Sequence, residues 1–331
     1  MTLSTAELCD MGDLDALLIR IDHLCADRDW AGVLDLRDRC RRAIERGRQL
    51  WPASSHAEYR LALEASGPLA AAVLVPGTGR FALGPLAEVA ASTHTWAELR
   101  PHLEPTPDAA MVAHERVVRG EDLTGEADWV PPALELPLKL QPWEPHYPLV
   151  TYRAHKLEAA VVPSPELVAI GRPSRPAEPV DDGDSTRALA ELANAWRQES
   201  NGTVEVVAID GDAASAVAAL PAITGADGMR MAEVPAAQAL AVMAEAAASG
   251  GAHGRRRGMA AGRFGAWWAV AALAGQLDDW PFEPDELGRA AAALRWYRWD
   301  AGGPSSGWSL RLAVEDPDFG QAWAIDAADH V

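Results

Sequence analysis

Eleven prolines stand between residues 129 and 185: Pro131, Pro132, Pro137, Pro142, Pro145, Pro148, Pro163, Pro165, Pro173, Pro176 and Pro179. Proline lacks an amide hydrogen and has a fixed φ, so neither a helix interior nor a central strand can run through this stretch. The 331-residue chain must therefore be organised in parts on either side of it. We expect an all-α domain over residues 1–128, a proline-rich connector over 129–185 and an α/β domain over 186–331. Within the connector, leucine recurs at every second position from Leu134 to Leu140, and Trp143, Tyr147 and Tyr152 follow. A pure linker carries no such aromatics, so the first part should pack on a domain surface. Arg172–Ser185 reads as the flexible linker.

The first part is a run of short amphipathic helices. Leu14, Leu17, Leu18, Ile21 and Leu24 recur at helical spacing, as do Trp30, Val33, Leu34, Leu36, Cys40 and Ile44. Ser54 or Ser55 is placed to cap a third helix that Gly67-Pro68 stops, and a short helix near Leu69–Val75 follows. Leu83–Ala91, Thr95–Leu103 and Pro107–Arg119 complete the array, with Thr93, Thr95 and Thr106 as caps. No fixed period of a helical repeat is present.

The last part alternates. Val204–Ile209 and Met229–Val234 read as strands, and Arg187–Glu199, Ala213–Leu220 and Ala236–Ala248 as helices. An almost wholly apolar helix is expected over Phe264–Leu277, which places it in a core. Pro284 opens one more helix. The chain then ends in an antiparallel three-strand meander, Arg295–Asp300, Trp308–Glu315 and Gln321–Asp326. In its middle strand Trp308, Leu310, Leu312 and Val314 alternate with Ser309, Arg311, Ala313 and Glu315, the pattern of a sheet with one buried face. The fold class is thus mixed α+β.

Composition limits the function classes. Alanine supplies 66 residues and arginine outnumbers lysine 27 to 2, a bias we ascribe to a high-GC bacterial genome. The net charge of −19 is spread along the chain, which disfavours general binding to phosphate backbones or anionic membranes. Three cysteines with no metal spacing suit a reducing cytoplasm, and the acidic N-terminus has no apolar export core. No apolar run reaches the roughly 20 residues needed to span a bilayer.

The sharpest local anomaly is Gly250–Arg263, where Arg255, Arg256, Arg257 and Arg263 join His253 among five glycines. Glycine lets a backbone approach a ligand, a helix start attracts anions, and arginine binds phosphate or carboxylate in bidentate fashion. These five side chains are the candidate anion site, set against a solvated loop whose arginines pair with nearby carboxylates. The pattern is neither a Walker loop nor a dinucleotide fingerprint. Arg37, Arg39, Arg41, Arg42, Arg46 and Arg48 form a second basic group, interleaved with acids as on a solvated helix face. Asp210 and Asp212 follow a strand and are a candidate acidic site or a turn. The nine histidines show no metal-ligand spacing, and no cofactor motif is present. Gly77-Thr78-Gly79-Arg80 reads as a structural turn.

Thirteen tryptophans are a surplus for this length, and tryptophan and arginine are enriched at binding hot spots. With no catalytic constellation assembled, the expected function is a cytoplasmic protein-interaction module with a protein partner. The alternative is an enzyme or sensor that binds a phosphate-bearing small molecule or nucleotide through residues 250–263.

Overall fold

Most helices of the N-terminal half carry their own start signal. In the computed structural model, which describes residues 3–171, 177–223, 228–302 and 307–330, Ser4 and Glu7 close a capping box on α1 (Thr5–Met11). Asp13 caps α2 (Leu14–Ala26) and Asp29 caps α3 (Trp30–Glu45). Such carboxylates satisfy the amides that a helix start leaves without partners. α4 (Trp51–Glu64), α5 (Gly67–Ala71), α6 (Leu86–Thr93), α7 (Trp96–Leu99) and α8 (Pro107–Val117) follow. Thr95 and Thr106 cap α7 and α8 as expected.

Three of the expected caps are corrected. Ser54 and Ser55 lie buried inside α4, which starts at Trp51 because the fixed φ of Pro52 suits a first turn. Thr93 ends α6 instead of opening a helix, and its hydroxyl donates to the Leu63 carbonyl.

The chain divides into two compact units. The first comprises Met1–Ala133 and Val150–Ala159, the second Leu134–Leu149 and Ala160–Val331. The proline-rich stretch thus contributes to both. In the first unit its hairpin, β1 (Thr151–Tyr152) with β2 (Leu157–Glu158), packs beside α6. α4 is the core of this unit. It touches α2, α3, α5 and α6 and is buried from Ala53 to Leu63 except at His56. It nevertheless carries Glu58 and Arg60, both buried.

Among the described residues, the second unit is a seven-stranded antiparallel sheet with helices on it. Its strands are β3 (Val168–Ile170), β4 (Glu178–Pro179), β5 (Thr203–Asp210), β6 (Met229–Val234), β7 (Arg295–Asp300), β8 (Trp308–Asp316) and β9 (Gln321–Asp329). Their order is β3-β6-β7-β8-β9-β5-β4. The expected meander is the centre of this sheet, in the register Trp296 to Val314 and Leu312 to Ile325. The helices are α9 (Gly183–Glu191), α10 (Asn194–Glu199), α11 (Ala213–Ala219), α12 (Ala236–Ala248), α13 (Met259–Leu273) and α14 (Pro284–Ala293).

Two expectations change here. The sheet has no single buried face, because alanine-rich α11 packs with Ala313, Ala322, Ala324 and Trp299. Leu310, Leu312 and Val314 are buried as well. The linker expected over Arg172–Ser185 holds β4 and the start of α9, which Asp182 caps. Residues 172–176 of it lie outside the described residues.

The Leu134–Leu149 segment is held in the second unit by one buried ion pair. Glu144 receives Arg263 Nε and Nη2 at 2.7 Å each, and Tyr147 Oη and Trp267 Nε1 donate to the same carboxylate. Arg263 Nη1 and Nη2 also donate to the carbonyls of Pro137 and Lys139. Burial pushes the Glu144 carboxyl upward, but the hydrogen bonds and charge of Arg263, with Tyr147 and the Gln141 amide, outweigh it. The group is held below the usual carboxylate range. Among the described residues no helix is long and apolar enough to cross a membrane.

Candidate functional site

Three of the four arginine side chains that crowd residues 250–263 are already partnered, and Arg255 is exposed. Arg256 pairs with Glu245 and Arg257 with Glu199, and the Arg255 and His253 amides donate to Glu199 and Ser200. The expectation that Arg263 stands at a helix N-terminus is corrected. α13 opens at Met259, and Arg263 lies one turn inside it, fully buried on Glu144. The structure therefore separates Arg263 from Arg255, Arg256 and Arg257. The glycines serve self-packing: a Cβ at Gly250 would sit 2.3 Å from the Gly254 backbone, and one at Gly262 2.2 Å from the Ala244 carbonyl.

Asp210 and Asp212 have local duties. Asp210 ends β5 opposite Glu178 and Gln321, and Asp212 caps α11 through the Ser215 amide. The rule that places ligands at strand carboxyl ends belongs to parallel sheets, and every pairing in this sheet is antiparallel. The vicinal tryptophans part company. Trp267 is buried on Trp143, while the half-buried Trp268 joins Phe264 and Trp280.

A different arginine is presented to solvent. Glu58, buried on α4, accepts Arg41 Nε at 2.8 Å and the Gly79 amide at 2.7 Å. Thr78 Oγ1 donates to the Val73 and Val75 carbonyls. Gly79 has φ +65°, and a Cβ there would meet Leu86 at 2.6 Å. These contacts hold the loop between α5 and α6 in one shape, and it displays Val75, Phe81 and Leu83 at 45%, 55% and 42% exposure. The Arg80 guanidinium lies 5.9 Å from the Trp51 ring centre and 5.7 Å from that of Phe81. Both are within cation–π range. Among the described residues Arg80 makes no ion pair. Gly77–Arg80 is a structural turn, as its sequence implies, and it also shapes this face.

A second cluster lies on α2, α4 and the β1–β2 turn. His155 Nε2 is 3.1 Å from Asp22 Oδ1, and His56 Nε2 is 4.0 Å from the same oxygen. Arg60 Nη1 also reaches Asp22 Oδ1, at 2.6 Å, while its Nε and Nη2 hold Glu64. Burial, aided by the charges of Arg60 and His155, pushes the His56 imidazole down to about 4. Neither arrangement was visible locally in the sequence. Glu58 is one unremarkable acid in an amphipathic helix, and the metal-capable trio is brought together from distant segments of the first unit.

The fold and this site thus define a mixed α+β protein of two units, with a shaped apolar and cationic face on the helical one. By its sequence the chain belongs to a family of unknown function, DUF6183, whose model matches residues 15–330. No curated protein and no solved structure matches it.

Proposed function

We propose that the chain is a protein-binding module whose contact face is Trp51 with the Val75–Leu83 loop, and that its partner presents an acidic segment carrying apolar side chains. The observation that carries this is Arg80, which lies over two aromatic rings and makes no ion pair among the described residues, beside three exposed apolar side chains. Tryptophan and arginine dominate binding hot spots. Displacing water from apolar surface contributes about 25 cal/mol per Å², and a guanidinium without a partner favours a carboxylate opposite it. Arg42 and Arg48, also exposed and without ion pairs among the described residues, add positive charge on α3 and just after it. The loop is held by a buried carboxylate, so ordering it on binding costs little.

The other reading, a phosphorylated small molecule at Arg255, Arg256, Arg257 and Arg263, is weakened because Arg256, Arg257 and Arg263 have carboxylate partners of their own. We place the protein in the cytoplasm, since its three buried free thiols suit a reducing compartment.

A photo-crosslinking residue at position 83 tests the proposal in source cells. One captured protein is expected, lost in the Arg80→Glu, Phe81→Ser double variant while the thermal midpoint stays unchanged. Equal capture by the double variant would overturn the proposal.

A further inference from the structure

The donors of Asp22, His56 and His155 all lie within 4.8 Å of one another. An ion held at 2.0–2.1 Å by tetrahedral donors sets them about 3.4 Å apart. The 3.1 Å and 4.0 Å separations to Asp22 bracket that value, and the two imidazole donors lie within 4.8 Å of each other, so the set completes as the rings draw together. The two imidazole centres are 5.2 Å apart with ring planes 20° from parallel. His56 Nε2 is buried and has no hydrogen-bond partner. A buried polar atom in that condition calls for an explanation, and an ion on its lone pair supplies one.

We infer that Asp22, His56 and His155 form a site for one divalent ion of the zinc, cobalt and nickel class. Two imidazoles and one carboxylate suit these borderline metals, whereas calcium and magnesium take oxygen donors. Arg60 does not oppose the charge of the ion unaided, because Glu64 holds it through two hydrogen bonds when Asp22 turns to the metal. Three protein donors leave a fourth position for water or an outside ligand. His155, 61% exposed on its turn, puts the open position on the solvent side.

The test uses the full untagged chain, stripped with a chelator and titrated with Co²⁺, following visible absorption and then displacement by Zn²⁺. One equivalent with a tetrahedral or five-coordinate spectrum is expected, indifferent to excess Mg²⁺. His155→Ala, which removes an exposed side chain and leaves the fold intact by circular dichroism, should weaken Zn²⁺ at least tenfold. Asp22→Asn should weaken it similarly, and His102→Ala, outside the cluster, should not. Absence of stoichiometric binding, or binding that His155→Ala leaves unchanged, would overturn the inference.

Discussion

Two arginine-bearing regions of this molecule differ in what their charge is free to do. Residues 250–263 hold four arginines within nine positions, yet Arg256, Arg257 and Arg263 each face a carboxylate of the same unit, and Gly250, Gly254 and Gly262 pack on backbone of that unit. The Val75–Leu83 loop holds one arginine, and that one has aromatic rings beneath it and, among the described residues, no ion pair. Density of charge in a sequence says little about its availability. What matters is the inventory of opposite charges that the fold brings alongside, and in an acidic chain most cations find one.

The comparison can be broken at its strongest point first. Glu144→Gln would leave the Arg263 guanidinium buried without its counter-charge, which costs about 3–5 kcal/mol. Urea denaturation followed by tryptophan fluorescence should show that loss. A cost near zero would mean that Arg263 is not consumed by the fold. The same pair sets an acid limit. Because the folded Glu144 pKa lies below its unfolded value, its stabilisation is present above the ordinary carboxylate range and lost as pH falls through the folded value. A denaturation series from pH 6 to pH 3 should steepen for the wild type and flatten for Glu144→Gln.

Next in size is the support of the exposed loop. Glu58→Gln leaves Arg41 and the Gly79 amide poorly satisfied, for about 1–3 kcal/mol. Amide exchange should accelerate across residues 75–83 in particular. Gly79→Ala should cost about 1–2 kcal/mol, from left-handed backbone and contact with Leu86. If either variant kept the loop protected, the face would not owe its shape to Glu58 and Gly79. Smallest of all is Arg257→Ala. Its pair with Glu199 is long and half-exposed, so stability should not change measurably. A thermal-shift series with inorganic phosphate and nucleotides should give no stabilisation in either wild type or variant. A ligand-dependent rise that Arg257→Ala removes would restore the anion reading.

Much of the fold was legible because its signals are local. The caps Thr95 and Thr106 and the strands of the central meander each depend on residues within a few positions of one another. Ser54 and Thr93 were misread for the same reason. A cap-forming side chain declares a preference, but Pro52 and the Leu63 carbonyl decided where each residue lay. Arg263 was misread because its partner, Glu144, is 119 positions away in a proline-rich stretch without periodicity.

The amino-acid order by itself therefore settled the class of fold, the helical first half, the central meander and the absence of an apolar segment able to cross a bilayer. These follow from propensity, periodicity and punctuation, which act over short spans of chain. Only tertiary structure decided which charges are spent and which donors converge. Arg263 was drawn into a core, Arg80 was left on a face, and Asp22, His56 and His155 were gathered from three elements. Pairing depends on distance in space, and no local rule encodes contacts between residues a hundred positions apart.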